Sequence, residues 1–345
     1  MCNEKKILLI RTSSLGDVVF NIPLANRLKE NGYKITWLVG ERGIDVVKNN
    51  PCVDDCIFVP VQKWQKQNIF KTILEYIKII RDIRARKFDI AIDNQGLLFK
   101  SGIFLLFSGA KRRITSEYAK EFSVFCGNEV IKKSFWGNEV NIVKKNLVYA
   151  DYLNAKKTEL KFSLPPSTED AIKNIDRLIV SVDKTKPIII VCPATTWVGK
   201  HWNKDNWKAL ISKLSSKYSL IFTGTAKDAE LIKYVKGESN GLDLTGKTSC
   251  FELIELFNRA NLVLSLDSGS THLARATENP KIVSIFCCTK PEYFAPFGNS
   301  EKYITVSSKE CNHCNNHKCN LKNNKYCCTN SPSVDEVYEQ VVNLI

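Results

Sequence analysis

Three short segments place carboxylate, hydroxyl and amine side chains directly after predicted strands. The first, residues 11–17, reads RTSSLGD and follows a strand predicted over 6–11. Its small residues let the backbone approach a bound group, and the start of the following helix favours negative charge nearby. Asp17 suits a helix N-cap, the commonest use of Asp at such a position. The alternative is a functional carboxylate, because this turn opens onto the ligand crevice of a doubly wound sheet.

The second segment, residues 192–202, reads CPATTWVGKHW and follows a strand predicted over 187–191. The hydroxyls of Thr195 and Thr196 and the ammonium of Lys200 lie within six positions, which is typical of a cradle for a diphosphate. Lys200 would neutralise the charge that builds on a departing phosphate. The alternative is a surface loop with one solvated lysine.

The third segment, residues 265–272, reads SLDSGSTH and again leads from a strand into a helix. Gly269 permits close approach, and the backbone amides over 268–271 would point at an anion. Asp267 is positioned to accept hydrogen bonds from sugar or ribose hydroxyls, or to orient neighbouring groups. His272 could donate to a phosphate, or it could be a histidine satisfied within its own helix.

These segments belong to an alternation of strands and helices that occurs twice along the chain. Such alternation predicts parallel βαβ units. The adjacent prolines of 163–167 (SLPPS) mark a linker. We therefore expect an α/β protein with two Rossmann-like, doubly wound domains, residues 1–165 and 166–332, facing a central cleft.

Two helices carry a clear apolar spacing. In a long helix predicted over 70–86, Ile73, Ile77 and Ile80 share one face. The last helix, over 333–345, is amphipathic. We expect this last helix to pack back on the N-terminal domain.

Composition limits the classes of partner. Among 345 residues, Lys plus Arg number 50 and Asp plus Glu 36, a formal net charge of +14 that favours an anionic partner. A distant alternative is a metal-stabilised nucleic-acid-binding protein without enzyme activity. The dispersed basic residues and the lack of a DNA- or RNA-binding motif argue against it. No run resembles a signal peptide or a membrane span. We expect a cytoplasmic protein that touches the inner membrane peripherally.

Five of the 13 cysteines lie near the C-terminus, in a segment spanning 311–328. Their spacing, C-x2-C-x4-C-x7-C-C, is compatible with a structural tetrahedral zinc or iron site. Its ligands would be Cys311, Cys314, Cys319 and Cys327. A reduced, metal-free loop of thiols is equally compatible, and neither interpretation places the cluster in catalysis.

Four stretches together resemble glycosyltransferase family 9, the ADP-heptose lipopolysaccharide heptosyltransferases, and within it the type I enzymes. They are ILLIRTSSLGDVVFNIP, FDIAIDNQGL with the following Lys100-Ser101, ATTWVGKHW and SLDSGSTHLARA. The resemblance covers nearly the whole chain. It implies a GT-B fold, an inverting mechanism, no cofactor for catalysis and an ADP-heptose donor.

The resemblance also implies roles for individual residues. Asp17 matches the catalytic base, and Lys200 assists departure of ADP. The donor-binding residues would lie in the second domain and are Thr195, Thr196, Lys200, Asp228, Asp267, Ser268, Gly269, Ser270 and His272. The acceptor-binding residues would lie in the first domain and are Ser14, Gly16, Lys63, Lys66, Gln95 and Lys120.

One departure concerns the acceptor. Type I enzymes grip acidic acceptor sugars with an arginine-rich stretch, whereas residues 62–66 here read QKWQK, and Lys120 also replaces an arginine. Lysine lacks the planar fork of arginine, so carboxylate recognition should be less strict geometrically. The expected acceptor is an acidic glycolipid of the Kdo-type inner core. A later core sugar or a protein hydroxyl is the alternative.

Overall fold

The computed structural model describes residues 4–310, 313–323 and 325–345. The chain divides into two compact units between Pro166 and Ser167. We call them the N-terminal unit and the C-terminal unit.

The N-terminal unit is built on a six-stranded parallel sheet with the strand order β3-β2-β1-β4-β5-β6. Its strands are β1 (Lys6–Ile10), β2 (Lys34–Gly40), β3 (Asp55–Val59), β4 (Ile90–Asp93), β5 (Arg112–Ser116) and β6 (Glu129–Ile131). Its helices are α1 (Leu15–Val19), α2 (Ile22–Glu30), α3 (Ile44–Val47), α4 (Val61–Trp64), α5 (Ile69–Ala85), α6 (Ile103–Leu106), α7 (Lys133–Trp136) and α8 (Ile142–Tyr152).

The C-terminal unit repeats this plan with the order β12-β11-β10-β7-β8-β9. Its strands are β7 (Ile188–Cys192), β8 (Ser219–Phe222), β9 (Leu242–Asp243), β10 (Leu262–Leu266), β11 (Lys281–Phe286) and β12 (Tyr303–Ser307). Its helices are α9 (Glu169–Leu178), α10 (Lys204–Leu214), α11 (Ala229–Lys236), α12 (Cys250–Asn258), α13 (Gly269–Thr277), α14 (Pro291–Phe294) and α15 (Val334–Leu344).

The central strands explain why the two sheets fold as they do. β7 (IIIVC) and β10 (LVLSL) are buried at every position, and β1 is buried at all but its first residue. Parallel strands covered on both faces require such nearly continuous apolar runs. Both sheets have the Rossmann strand order, in which the first strand of the unit is central. The α/β prediction of two doubly wound domains is therefore confirmed.

Local details differ from the expected elements. The helix expected directly after residues 11–17 is divided into α1 and α2, because Pro23 lies in the first turn of α2. The strands β5, β6, β9 and β12 carry no strong apolar run and were not predicted. In α5 the buried residues are Thr72 and Ile83, whereas Ile73 and Ile77 of the predicted apolar face are exposed.

Helix α15 packs differently from the expectation. The helix predicted over 333–345 was expected on the N-terminal domain, but Val337 and Val341 are fully buried in the core of the C-terminal unit. There they join Trp202 and Trp207, and Trp202 Nε1 donates to the carbonyl of Pro332, 2.8 Å away. Apolar spacing identifies a buried face but does not say which sheet covers it.

Over the described ranges, no helix combines the length and the apolar character needed to cross a bilayer.

The packing of α15 gives a stability prediction. Val341→Ala should lower the free energy of unfolding by roughly 1–3 kcal/mol, since it leaves a cavity in a closed core. Val342→Ala is the matched control, because Val342 is exposed and its loss should change that free energy by under about 0.5 kcal/mol. Urea denaturation with hydrogen exchange should place the loss of protection in β11 and α10, which contact α15. Equal effects of the two substitutions would contradict this packing.

Candidate functional site

Each sheet has one topological switch point, which is the place between two neighbouring central strands from which the chain continues toward opposite edges of the sheet. It lies between β1 and β4 in the N-terminal unit and between β7 and β10 in the C-terminal unit. Open α/β sheets bind ligands beyond the carboxyl ends of the strands at such points. All three predicted segments start there: residues 11–17 follow β1, 193–202 follow β7 and 267–272 follow β10.

Asp17 is held on both carboxylate oxygens. Its Oδ1 lies 2.6 Å from Arg11 Nη2, and its Oδ2 accepts hydrogen bonds of 2.9 Å from the backbone N–H and the hydroxyl of Ser14. Ser14, not Asp17, is the N-cap of α1, so the capping interpretation holds in a modified form: Asp17 closes the cap from the first turn. The side chain keeps 32% of its surface exposed, and a carboxylate has about four acceptor sites. Asp17 can therefore still accept one hydrogen bond from a ligand.

Gln95 joins the end of β4 to the end of β1. Its Oε1 accepts hydrogen bonds from the backbone N–H of Thr12, at 2.8 Å, and from the Thr12 hydroxyl, at 2.9 Å. Arg11 reaches the same turn, since its Nη1 donates to the carbonyl of Asn94. The structure thus brings Gln95 together with the segment that carries Ser14, Gly16 and Asp17.

Asp93, which the sequence analysis did not assign, fixes the shape of this turn. Its Oδ1 accepts from the backbone N–H groups of Gln95 and Gly96, both at 2.9 Å. Its Oδ2 accepts from the hydroxyls of Ser101 and Ser123, at 3.0 and 3.2 Å. Burial raises the pKa of Asp93, although the four donors oppose that rise. No sequence signal separates it from any other Asp at a strand end.

The predicted acceptor lysines all lie at the carboxyl edge of this sheet. Lys120 is exposed, and its backbone N–H donates to the carbonyl of Gly96 at 2.7 Å. Gly96 has φ +66°, and a Cβ there would lie 2.9 Å from the Cα of Ala119, so this close turn requires glycine. Lys63 and Lys66 follow β3, two strands away from β1. Lys63 is committed to Glu75, 2.6 Å away.

In the C-terminal unit the candidate site is organised around the buried carboxylate of Asp267. Its Oδ2 lies 2.8 Å from Lys200 Nζ and accepts a 2.7 Å hydrogen bond from the Thr289 hydroxyl. Its Oδ1 lies 3.4 Å from His272 Nε2, and its backbone carbonyl accepts from the Thr195 hydroxyl at 3.2 Å. Asp267 is only 2% exposed. It is therefore a support for Lys200, Thr195 and His272 and presents little surface of its own.

The partners of Asp267 set its protonation. Burial alone would raise its pKa, but the hydrogen bond from His272 and the charge of Lys200 outweigh burial and hold the pKa at about 2. The carboxylate is therefore ionised at neutral pH. It balances the charge of Lys200 within the site.

Two aromatic rings flank the side chain of Lys200 in the loop after β7. The Lys200 ammonium lies 4.7 Å from the centroid of the Trp197 ring and 5.9 Å from that of the Phe294 ring. His201 Nε2 lies 2.9 Å from the carbonyl of Thr195 and braces the same loop. Thr196 is exposed. Lys200 donates one of its three protons to Asp267, which leaves two for a ligand.

The start of α13 supplies backbone amides to this site. The first N–H groups of a helix have no partner within it, and here they belong to residues beside Lys200 and Asp267. Ser268 is the N-cap residue, and its buried hydroxyl has no hydrogen-bond partner among the described residues. Ser270 and Gly269 are half-buried and occupy the first turn.

Asp228 lies after β8 and is held as Asp17 is. Its Oδ2 accepts from the backbone N–H of Thr225, at 2.8 Å, and from the Thr225 hydroxyl, at 2.7 Å. Both aspartates therefore close a cap formed by a hydroxyl residue three positions earlier.

Three of the four predicted metal ligands lie close together in the C-terminal unit. Cys311 lies outside the described residues. Cys314, Cys319 and Cys327 line one small cavity together with Cys288 and Cys328. Among the described residues, no three His, Cys, Asp or Glu side chains are grouped so that they could hold a metal ion. The zinc or iron site remains a prediction.

Sequence reasoning missed two further supports. Arg11 was read only as part of a small-residue turn, although a guanidinium six positions before Asp17 is a visible signal. Thr289 lies 22 positions after its partner Asp267. Only the pairing of β11 with β10, which brings the ends of these neighbouring strands together, connects them.

Comparison with known proteins identifies the family of this chain. The family model described as glycosyltransferase family 9 (heptosyltransferase) matches residues 76–325. Lipopolysaccharide heptosyltransferase 1 of Pseudomonas aeruginosa is 24% identical over 318 residues, which cover 87% of this chain and 83% of that protein.

Two solved structures share the fold. The glycosyl transferase family 9 protein of Veillonella parvula superposes with a TM-score of 0.81 at 19% identity, covering 99% of this chain and 97% of that one. The Escherichia coli heptosyltransferase WaaC with ADP gives 0.74 at 18% identity, covering 99% and 100%. The fold is GT-B. With the family model covering most of the chain, the protein belongs to glycosyltransferase family 9, the heptosyltransferases.

Proposed function

We propose that this glycosyltransferase moves heptose from ADP-heptose to a hydroxyl of an acidic, Kdo-type inner-core lipopolysaccharide acceptor, with inversion at the anomeric carbon and Asp17 as general base. The observation that carries the proposal is a matched pair of sites. A partly exposed carboxylate stands at the switch point of the N-terminal unit, and a supported ammonium stands at that of the C-terminal unit. A base and a stabiliser of the leaving group are what a single displacement requires.

The donor belongs to the C-terminal unit in this proposal. The diphosphate would meet Lys200, Thr195, Thr196 and the first amides of α13, which combine positive charge with oriented N–H groups. Asp228 would accept from the ribose hydroxyls through Oδ1, since Oδ2 is taken by Thr225. The adenosine diphosphate in WaaC, a protein of the same fold, supports this class of donor.

The acceptor belongs to the N-terminal unit. Lys120 and Lys66 supply positive charge at the carboxyl edge of its sheet, which suits sugars that carry carboxylates or phosphates. Lys63 lies in the same segment as Lys66 and would have to exchange its partner Glu75 for the acceptor. Ser14, Gly16 and Gln95 surround the base and would position the reacting hydroxyl. The formal net charge of +14 fits work at an acidic membrane surface, so we place the enzyme peripherally at the cytoplasmic face of the inner membrane.

The proposed transfer takes place in a single displacement step. The acceptor oxygen forms a bond to the anomeric carbon while its proton passes to Asp17, and the bond from that carbon to the phosphate oxygen breaks. The electron pair leaves on ADP, whose new charge Lys200 and the helix amides stabilise. Arg11 holds the Asp17 carboxylate in a fixed orientation throughout. Displacement from the opposite face inverts the configuration.

The two capped aspartates allow a sharp test. Asp17→Asn should lower kcat by about 10²–10⁴-fold with the dissociation constant for ADP little changed, because Asn keeps a cap acceptor but cannot take a proton. Steady-state kinetics and calorimetric ADP titration would measure the two quantities.

Asp228→Asn is the matched control, since it alters an aspartate with the same capping contact. It should weaken ADP binding by about tenfold and lower kcat far less. If Asp17→Asn retained near-normal turnover, the assignment of the base would be wrong. If Asp17→Asn weakened ADP binding instead, the two units would have been assigned the wrong substrates.

The pairing of Lys200 with Asp267 predicts an effect of pH on stability. Lys200→Met should cost roughly 3–5 kcal/mol of folding free energy at pH 7, since it leaves a buried carboxylate without its cation. The wild-type pKa of about 2 lies below the ordinary Asp value. The stabilisation from Asp267 is therefore complete above about pH 4 and is lost as pH falls toward 2.

The difference between wild type and Lys200→Met should narrow as pH falls from 7 toward the wild-type Asp267 pKa of about 2, because protonation of Asp267 removes the charge that Lys200 balances. Urea denaturation at pH 7, 4 and 3 would measure this difference. Lys204→Met, at an exposed lysine of the same unit, should leave stability nearly unchanged at every pH. A constant difference down to pH 3 would argue against the ion pair.

Acceptor identity is tested by mass. We expect ADP-heptose to add one heptose to Kdo-lipid A and none to an already heptosylated Kdo-lipid A. Lys120→Gln should raise the KM for the acceptor by roughly tenfold, as expected for one lost charge contact, and leave the KM for the donor unchanged. Addition only to the heptosylated acceptor, or to protein hydroxyls, would replace the Kdo assignment.

A further inference from the structure

Helix α5 exposes an apolar face that no part of the described chain covers. Five of its apolar side chains are between 40% and 73% exposed, and they are Ile69, Phe70, Ile73, Leu74 and Ile77. We call this set the outer face of α5. The opposite side of the helix reaches the core through Thr72, Tyr76 and Ile83. Contiguous exposed apolar side chains of this kind mark an interaction surface.

The charges around the outer face are basic. Lys78 and Arg81 lie four positions after Leu74 and Ile77, so they continue the same side of the helix. Lys71 and Arg84 are also exposed, and none of the four makes an ion pair with the described part of the chain. The two acidic residues of α5 are neutralised, because Glu75 pairs with Lys63 and Asp82 pairs with Arg86.

We propose that the outer face of α5 docks on an anionic phospholipid bilayer and lies in its interface. An apolar face with Phe and Ile beside free basic groups is the pattern of a helix that rests in the plane of the headgroups. The face is too apolar to favour a polar partner such as nucleic acid. The basic rim selects an acidic lipid surface over a neutral one.

The same helix anchors the segment proposed to bind the acceptor. Glu75 Oε1 lies 2.6 Å from Lys63 Nζ, and Glu75 Oε2 accepts from Trp64 Nε1 at 2.6 Å. The Trp64 ring stacks on Tyr76 with centroids 4.2 Å apart. Docking of α5 would therefore hold residues 62–66 next to the lipid headgroups, where the sugars of a glycolipid begin. This use of the surface rests on the proposed function, whereas the docking itself does not.

The test is co-sedimentation of the full-length protein with vesicles. The wild type should bind phosphatidylglycerol–phosphatidylethanolamine vesicles more tightly than phosphatidylcholine vesicles, and added salt should weaken the binding. The double variant Phe70→Ser with Leu74→Ser should lower the partition coefficient at least tenfold. Lys78→Gln with Arg81→Gln should remove most of the preference for anionic lipid.

Val180→Ser is the matched control, because Val180 is 77% exposed in the C-terminal unit and should not affect vesicle binding. Circular dichroism and thermal melts should be unchanged in all variants, since every altered side chain is exposed. Failure of the wild type to bind anionic vesicles would overturn the proposal. The proposal would also be overturned if the double variant Phe70→Ser with Leu74→Ser bound these vesicles as tightly as the wild type does. A dimer in light scattering that the same variant dissociates would assign the face to a second copy and overturn it equally.

A transfer assay separates this proposal from the proposed function. The double variant should lose most transfer to an acceptor embedded in vesicles and keep transfer to a water-soluble, deacylated acceptor. If the wild type transferred heptose to neither acceptor, the proposed function would be wrong. Co-sedimentation would still show whether the outer face of α5 docks on the bilayer.

Discussion

The candidate donor site depends on one buried charge. An ionised carboxylate removed from water is costly unless charged and polar partners replace its hydration. Asp267 meets this requirement through Lys200, Thr289 and His272, which come from the loop after β7, the segment after β11 and the first turn of α13. Those three segments are therefore tied to one carboxylate. A displaced Lys200 would leave the carboxylate unbalanced, so the position of the ammonium is set by folding before a ligand binds.

In the N-terminal unit a buried carboxyl group, that of Asp93, is held by neutral hydrogen-bond donors. Asp93 ends β4, and Asp267 follows β10, which holds the equivalent place in the second sheet. Asp93 accepts from two backbone amides and two hydroxyls, and no cation of the described residues pairs with it. Arg11, in the turn after β1, pairs instead with the more exposed Asp17. The carboxyl group at this topological position thus holds a backbone turn in the N-terminal unit, whereas in the C-terminal unit it holds the ammonium of Lys200.

A strong apolar pattern was enough to predict the central strands. The central strands and the three segments that follow them were predicted because strands such as IIIVC admit little other interpretation. An apolar pattern that fits two packing arrangements does not decide between them. Both sides of α5 carry isoleucines, so spacing could not reveal that Ile73 and Ile77 face solvent while Ile83 is buried. The spacing in α15 identified Val337 and Val341 as buried, but only tertiary packing chooses between two similar sheets. Thr289 was missed because its contact depends on the register of β10 and β11.

The two interpretations of Asp17 are compatible once their energies are compared. A capping contact in a helix is worth about 1 kcal/mol, whereas general base catalysis of 10²–10⁴-fold corresponds to about 3–5 kcal/mol of barrier. The cap needs one oxygen, and Arg11 takes one site on the other. Capping therefore removes little of the capacity for proton transfer, and it holds the carboxylate in a single orientation. Asp228 has the same cap without an arginine partner within the described chain, which suits a carboxylate that only accepts hydrogen bonds. What distinguishes the proposed base from the proposed binding residue is thus the neighbouring guanidinium, while the turn that holds each of them is alike.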